Sequence, residues 1–255
     1  MLVTDRYFYA PTVKNIDISY INCDNFNFYL CNFDNAEIYL KWMYQKGNTD
    51  IDMQGRIVSD IDFAPSLTGL HNCRFNTLTL NDTSKTVFLE NCQGILRSVN
   101  SGNLIIYNCR LTLDTNLALA QGGILNIKDS DITGTGDIQA GADFALMIEH
   151  STLEPSITCP NVTNINAQPF NIIIDNSNIT GNIEVKRLIM TNSKAGSVKL
   201  YGALNGTSGI IGNVILENNI IDDFGFFAVT GFESTVNNCT FVQTRIVNNT
   251  FNNSF

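Results

Sequence analysis

A short motif recurs about every twenty residues along this chain of 255 residues: an asparagine, then a cysteine or serine, then an apolar residue two places later. Clear copies are Asn72-Cys73-Arg74-Phe75, Asn108-Cys109-Arg110-Leu111, Asn176-Ser177-Asn178-Ile179 and Asn238-Cys239-Thr240-Phe241. A repeat of this length indicates a solenoid, in which each unit buries its apolar side chains only against its neighbours. The repeat constrains the fold more strongly than it constrains the function.

The residues around each asparagine alternate with a period of two, as in a β-strand. In one copy Ile172 and Ile174 face one way, and Ser177 and Ile179 resume that face after Asn176. A single residue in the left-handed conformation would bend the chain in this manner, and asparagine tolerates that conformation. Two strands joined by such a bend predict one corner of a parallel β-helix. We expect the asparagines of successive coils to stack there as an internal ladder, with their amides hydrogen-bonded along the axis.

This pattern resembles the right-handed β-helix superfamily of pectin-lyase-like proteins and bacteriophage tailspikes, over roughly residues 17–251. The resemblance implies an all-β fold, a single-stranded right-handed parallel β-helix at residues 17–255, after an N-terminal segment at residues 1–16. The chain length allows about eleven coils, each rising about 4.8 Å. The predicted ladder consists of Asn72, Asn91, Asn108, Asn176, Asn192 and Asn238. Proteins of very different activity share this motif, so it implies little about chemistry.

Charge and cysteine usage narrow the partners and the compartment. The net charge of −9 argues against a nucleic-acid partner bound through its phosphates. We expect no signal peptide and no membrane insertion, because the chain has neither a secretory leader pattern nor a long apolar run. The cysteines that follow ladder asparagines alternate with serines between coils, which predicts small, buried, reduced side chains and assembly in a reducing cytoplasm. The odd count of 7 and the lack of a CxxC pair argue against disulfides and zinc, and we expect no metal or cofactor.

Candidate catalytic residues come from the outward position just before each asparagine. In that column Glu149 and Asp175 would be neighbours on successive coils. Two carboxylates about one strand spacing apart could act as acid and nucleophile, since retaining glycosidases separate theirs by roughly 5–5.5 Å. They could also bind calcium. The competing interpretation is a solvated polar column, in which Lys128 pairs with Glu149.

The segment in which the asparagine motif lapses contains an aromatic cluster. Tyr39, Trp42 and Tyr44 could stack on a sugar ring, or could cover the apolar core as a flap. Between Ile21 and Met43 apolar residues recur at intervals of five, as in pentapeptide repeats, which we interpret as tightly wound coils of the same solenoid. The chain stops in the rhythm of the repeat, so we expect it to dock against another copy or subunit, or to continue in a longer protein.

Three functional hypotheses follow. The first is a structural or receptor-binding component of a bacteriophage particle: a non-enzymatic tail fibre, tailspike or appendage protein. We expect it to form a homotrimer or to bind other virion proteins, with host surface polysaccharide as a further partner. The second is a polysaccharide depolymerase of tailspike type that uses Glu149 and Asp175. The third, an acidic DNA mimic, is disfavoured because the five-residue register covers only a small part of the chain.

Overall fold

The fold is described from a computed structural model of the chain. The structure describes residues 6–9, 12–13, 26–29, 32–33, 40, 47–61, 67–80, 85–119, 122–139, 144–158, 171–185, 187–205, 208–228 and 239–254. Within these ranges nearly all regular structure is β-strand, in agreement with the alternating sequence.

The strands are short and follow one another around the axis of a coil. The first are β1 (Arg6–Tyr9), β2 (Thr12–Val13), β3 (Phe26–Tyr29), β4 (Asn32–Phe33), β5 (Asp50–Asp52), β6 (Ile57–Ile61), β7 (Gly69–His71), β8 (Arg74–Leu80), β9 (Thr86–Glu90), β10 (Gln93–Ser101), β11 (Asn103–Tyr107), β12 (Arg110–Leu113) and β13 (Leu117–Leu119). They continue as β14 (Ile124–Lys128), β15 (Asp131–Gly134), β16 (Ile138–Gln139), β17 (Ala145–Glu149), β18 (Thr152–Leu153), β19 (Ile157–Thr158), β20 (Asn171–Asp175), β21 (Asn178–Val185), β22 (Leu188–Thr191), β23 (Lys194–Asn205), β24 (Ser208–Glu217), β25 (Ile220–Ala228), β26 (Cys239–Val247) and β27 (Thr250–Ser254).

From β5 onward the strands build two faces that meet at a sharp corner. The first face contains β5, β7, β9, β11, β14, β17, β20, β22, β24 and β26, and the second contains β6, β8, β10, β12, β15, β18, β21, β23, β25 and β27. Three further short strands, β13, β16 and β19, extend the second sheet and pair in parallel with one another between β10 and β21. Strands of one face pair in parallel from coil to coil, as when Ile106 lies opposite Leu89 on one side and Ile127 on the other. The prediction of an all-β parallel β-helix is therefore confirmed. The number of coils and the hand of the coil stay predictions.

Alternation along each strand places every second side chain in a narrow core. One column of inward side chains on the first face is at most 1% exposed. It consists of Ile51, Leu70, Leu89, Ile106, Ile127, Ile148, Ile174, Met190 and Leu216. Each of these side chains packs on the equivalent residue one coil away, at the strand spacing of about 4.8 Å. The core is thus a continuous column, as expected for a solenoid.

A close contact between coils explains one of the glycines of the second face. Gly94 lies between Phe75 and Leu111 in the inward column of that face, with a φ of 151°. A Cβ atom at Gly94 would lie 2.2 Å from the Phe75 carbonyl oxygen and 2.4 Å from its ring. The large ring of one coil therefore requires a glycine on the next.

The coils differ in length, and the last described coil is the longest. Equivalent corner residues of successive coils are 16 to 30 positions apart, and the spacing of 30 separates Asn219 from Asn249. In this coil Val247 lies opposite Glu217, so the corner residue is Asn248 and the predicted corner at Asn238 is wrong. Asn238 itself lies outside the described residues. The strands β23 and β24 also pair with each other in antiparallel fashion, with Ala203 opposite Ile210, which broadens the preceding coil.

The strands near the N-terminus form two separate sheets of 2 strands each. β1 pairs in parallel with β3, and Arg6 lies opposite Phe26, while β2 pairs in parallel with β4. Strands from the predicted N-terminal segment at residues 1–16 thus pair with strands of residues 26–33. Most of the segment with the five-residue register lies outside the described residues.

Candidate functional site

The corner between the two faces is built on residues in the left-handed conformation. Five of the six predicted ladder asparagines lie there with φ of 47–53°: Asn72, Asn91, Asn108, Asn176 and Asn192. Four further coils place other residues in the same conformation at this corner, namely Asp129, His150, Asn218 and Asn248. Gln54, with φ of 53°, forms the corner where the asparagine motif lapses. Short polar side chains predominate because they tolerate this backbone conformation better than other non-glycine residues.

The asparagine side chains stack along the axis, but on the outside of the corner. Asn91 Nδ2 donates to Asn72 Oδ1 at 3.0 Å, and Asn108 Nδ2 donates to Asn91 Oδ1 at 2.5 Å. Asn72 Nδ2 in turn donates to Asp52 Oδ1 at 3.0 Å. The prediction that the asparagine ladder lies inside the corner is therefore wrong. The inside of the corner is already filled by the side chain of the following residue.

A second ladder, formed by that following residue, runs inside the corner. The Ser130 N–H donates to Ser151 Oγ and the Ser151 N–H to Ser177 Oγ, both at 3.1 Å. Each hydroxyl also donates to the carbonyl two residues earlier, as Ser151 Oγ does to Glu149 at 2.7 Å. Members of this inner ladder therefore need a side chain that both donates and accepts. This requirement, in addition to small size, explains why cysteine and serine alternate here.

Cysteine and asparagine extend the inner ladder at its two ends. The Cys92 N–H donates to Cys109 Sγ at 3.3 Å, and the Asn219 N–H donates to Asn249 Oδ1 at 3.0 Å. Cys239 does not belong to the inner ladder, contrary to prediction. It lies opposite Gly209 at the start of β26, and Asn249 occupies the position predicted for it.

The described thiols of the ladder are free and buried. Cys73, Cys92 and Cys109 are 1–2% exposed, and none of the three forms a disulfide. Burial raises the pKa of the Cys73 thiol to about 12. Because the thiolate is the reactive form of a cysteine, Cys73 is not a nucleophile at neutral pH.

The outward column before the corner is in the predicted register up to its last member. Glu149 lies opposite Lys128 on one side and Asp175 on the other, and Asp175 lies opposite Thr191. The two candidate catalytic carboxylates are therefore neighbours on successive coils. At the end of the column Val247 lies opposite Glu217, directly before the corner residue Asn248 and not before Asn238.

Each of the two carboxylates binds a partner on the far side from the other. Glu149 Oε2 forms an ion pair with Lys128 Nζ at 3.2 Å. Asp175 Oδ1 accepts hydrogen bonds from Thr191 Oγ1 at 2.5 Å and from Asn192 Nδ2 at 3.2 Å. The hydrogen bond from Thr191 lowers the pKa of Asp175, which keeps this group ionised. A general acid needs the opposite shift, so Asp175 is suited only to the role of nucleophile or charge stabiliser.

A charged cluster that the sequence analysis did not identify lies where the described coils begin. His71 accepts or donates through both ring nitrogens, with Nε2 2.6 Å from Asp50 Oδ1 and Nδ1 2.9 Å from Glu90 Oε2. A Cβ atom on Gly69 would lie 1.9 Å from Asp50 Oδ1, so the glycine makes room for this carboxylate. That His71 and Glu90 are neighbours is predictable, because both belong to the outward column before the corner. Asp50 belongs to the adjacent column, and only the direction of its side chain brings it to His71.

Two shallow polar grooves follow the outside of the corner. One, of about 450 Å³, is lined by Arg74, Asn91, Cys92, Gln93, Asn108, Cys109, Arg110, Asp129 and Asp131. The other, of about 390 Å³, is lined by His150, Ser151, Thr152, Asn176, Ser177, Asn178, Asn192 and Lys194. Amides, carboxylates and cationic groups in an open groove can hydrogen-bond the hydroxyl groups of a sugar. The aromatic residues predicted to stack on a sugar, Tyr39, Trp42 and Tyr44, lie outside the described residues.

Within the described part of the chain, no group of three or more His, Cys, Asp or Glu side chains is arranged to hold a metal ion. The same residues contain no helix with the length and apolarity that crossing a membrane requires.

Comparison with known proteins identifies no relative. No protein-family model, no curated protein and no solved structure matches the chain.

Proposed function

We infer that this chain is a structural or receptor-binding component of a bacteriophage particle, a tail fibre, tailspike or appendage protein that acts without catalysis. It is assembled in the host cytoplasm and becomes part of the virion, as a homotrimer or bound to other virion proteins. Buried free thiols such as Cys92 support folding in a reducing compartment.

The observation that carries this proposal is the continuity of the inner ladder. Hydrogen bonds link Cys92 to Cys109, pass through the serines, and reach Asn219 and Asn249 at the last described coil. The apolar core columns run beside the ladder through the same coils. A rod held together in this way resists bending, because bending would have to open buried hydrogen bonds and packed contacts. Stiffness is what a fibre or spike requires.

The polar grooves along the corner support contact with the host surface. A polysaccharide chain lying along the rod would meet a similar set of amides and charged groups every 4.7–4.9 Å or so, the spacing between coils. In the larger groove Arg74 and Arg110 lie on either side of Gln93, in register on successive coils. Such an arrangement can bind a repeating glycan by several weak contacts without distorting it.

One observation favours the depolymerase as a second candidate. Glu149 and Asp175 are neighbours in register, as a retaining pair of carboxylates would be. The ion pair of Glu149 favours the non-enzymatic role, because Lys128 occupies the carboxylate that would have to act as the acid.

The decisive experiment incubates the purified protein with host capsular or surface polysaccharide and measures both binding and released reducing ends. We expect binding without chain cleavage. Cleavage that disappears in Glu149→Ala or Asp175→Ala would establish the depolymerase instead. Glu217→Ala is the matched control, because Glu217 belongs to the same column and pairs with Arg245. Immunogold labelling of phage particles tests the location, and unlabelled particles would refute the structural role.

A further inference from the structure

The outer surface of the first face contains a straight apolar stripe parallel to the axis of the rod. Its members are register partners on successive coils, and each points away from the core: Phe88, Ile105, Asn126, Met147, Ile173, Ile189 and Ile215. All seven are half-buried, and only Asn126 is polar. Seven successive coils give the stripe a length of about 29 Å.

The strands of this face have the composition of strands that are covered on both sides. In Val87-Phe88-Leu89, Leu104-Ile105-Ile106 and Ile172-Ile173-Ile174, apolar residues occupy outward as well as inward positions. Continuous apolar runs of this kind are typical of parallel strands that are buried on both faces. The inward residues fill the core of the rod, whereas the outward ones face away from it. These outward side chains are only half-buried, so a partner could cover them further.

We propose that this stripe is the surface through which copies of the chain pack side by side, parallel and in register, around an axis that runs along the rods. The proposal gives a surface to the side-by-side homotrimer of the proposed function and rests on it. The stripe has one residue per coil, and a second copy presents apolar residues at the same spacing. Its side chains can therefore match the stripe along the whole length, which a partner of different period could not do.

The position of Asn126 favours the parallel arrangement over the antiparallel one. Its Oδ1 atom is buried without a hydrogen-bond partner. Asn126 is the third of seven members, and the centre of the stripe is Met147. In an antiparallel pair centred on Met147, Asn126 would face Ile173 and its amide would stay unpaired. In a parallel assembly it faces the same residue of each neighbour, and rotated amides can pair there. A single buried asparagine sets register in this way in coiled coils.

The flanking residues are consistent with an interface that ends at both tips of the stripe. Beyond Phe88 the column continues with Gly69, which is covered by the Asp50 carboxylate, and beyond Ile215 it continues with the exposed Arg245. Beside it, Ile124 and Tyr107 are 47% and 38% exposed. These two side chains widen the apolar surface near Asn126.

The test is the mass of the protein in solution, measured by size-exclusion chromatography with light scattering. Wild-type protein should have three times the chain mass of 28.2 kDa. The double variant Ile173→Glu with Ile189→Lys leaves the net charge unchanged and places opposite charges on adjacent coils, where they can pair within one rod. It should have the mass of a single chain and an unchanged circular dichroism spectrum. The matched control is Thr112→Glu with Thr133→Lys, which are register partners pointing outward from the second face, and it should keep the wild-type mass.

Other outcomes overturn the proposal. A monomeric wild type would refute the interface, and so would a double variant that stays assembled. If the double variant does not fold, Met147→Asn replaces it, since the neighbouring position already holds Asn126 in a folded rod. The Met147→Asn variant should raise the protein concentration at which half of the assembly dissociates by about tenfold or more. An unchanged concentration would refute the stripe as the interface.

A disulfide test examines the orientation of the copies. In the parallel arrangement Asn126→Cys should form a disulfide between chains on mild oxidation, visible as a dimer band that wild-type protein lacks on a non-reducing gel. Failure of this residue to cross-link in an assembled protein would refute the parallel register. These results are separate from the proposed function. A monomer would leave a role bound to other virion proteins open, and absence from phage particles would leave the interface standing.

Discussion

Removing one hydroxyl from the inner ladder tests directly how the rod is held together. Ser177 is 6% exposed, and its Oγ accepts the Ser151 N–H at 3.1 Å and donates to the Asp175 carbonyl at 2.8 Å. In Ser177→Ala neither bond can form. The Asp175 carbonyl still accepts the His150 N–H at 3.1 Å, so the main loss is the acceptor for the buried Ser151 N–H.

The expected cost follows from that single unpaired donor. A buried N–H without a partner destabilises a protein by about 1–3 kcal/mol, and we expect a loss of this size in the free energy of unfolding. Ser177→Cys is the matched variant, because Cys92 and Cys109 occupy the same ladder position in other coils. A thiol still donates and accepts, so this change should cost less than about 1 kcal/mol.

Urea denaturation measures the global effect, and hydrogen exchange at the Ser151 amide measures the local one. Since 1.4 kcal/mol corresponds to a factor of ten, exchange at this amide should become about tenfold to a hundredfold faster in Ser177→Ala. Exchange several coils away should change much less, because each coil contacts only its neighbours. If alanine and cysteine at position 177 behave alike and neither alters exchange at Ser151, the hydrogen-bonded ladder does not stabilise the rod.

Three further predictions concern single residues. Cys92→Ser should change the free energy of unfolding little, whereas Cys92→Leu should overpack the corner and cost about 1–3 kcal/mol by urea denaturation. Partial burial lowers the pKa of His71, but the hydrogen bonds to Asp50 and Glu90 outweigh this and raise it above its ordinary value of 6.5. The contribution of His71 to the free energy of unfolding is therefore fully present below pH 6.5 and is lost as the pH rises through the folded-state pKa. Urea denaturation midpoints should show this loss in wild type and not in His71→Gln. Gly134→Ala should cost about 1–3 kcal/mol or more, because φ is 107° and a Cβ would lie 2.2 Å from the Leu113 carbonyl oxygen. Gly122→Ala, at φ of 74° with open space around it, should cost less, and urea denaturation of the two variants measures the difference.

The sequence predicts the corner and the inward faces because both depend on local backbone preferences. Asparagine tolerates the left-handed bend, and Asn72, Asn91 and Asn176 all adopt it. The period of two then directs residues such as Ile174 and Ser177 to the same side. Neither inference needs information about distant parts of the chain.

Features that depend on pairing between coils cannot be read from the local sequence. In the last coil the motif predicts Asn238 at the corner, whereas the pairing of β24 with β26 places Asn248 there. The local motif at Asn238 is as good as the others, so nothing near it reveals the error. The length of a coil is decided by which strand of the previous coil it can pair with.

The candidate site shows the same division. That Glu149 and Asp175 are neighbours was predictable, but their separate partners, Lys128 and Thr191, depend on side-chain geometry across three spacings between coils. The outer apolar stripe had a visible signal in runs such as Ile172-Ile173-Ile174. Its members align only once the register of the coils is known.

By itself, then, the sequence determines a repeating bend, alternating strands and a parallel solenoid, because these follow from backbone conformation and a period of two. The tertiary structure alone decides that the asparagines stack outside the corner and the cysteines and serines inside. It also decides which residues of distant coils meet. The physical reason is that each coil is stabilised by the next, so contacts along the axis depend on register, and register is set by pairing between segments about twenty residues apart.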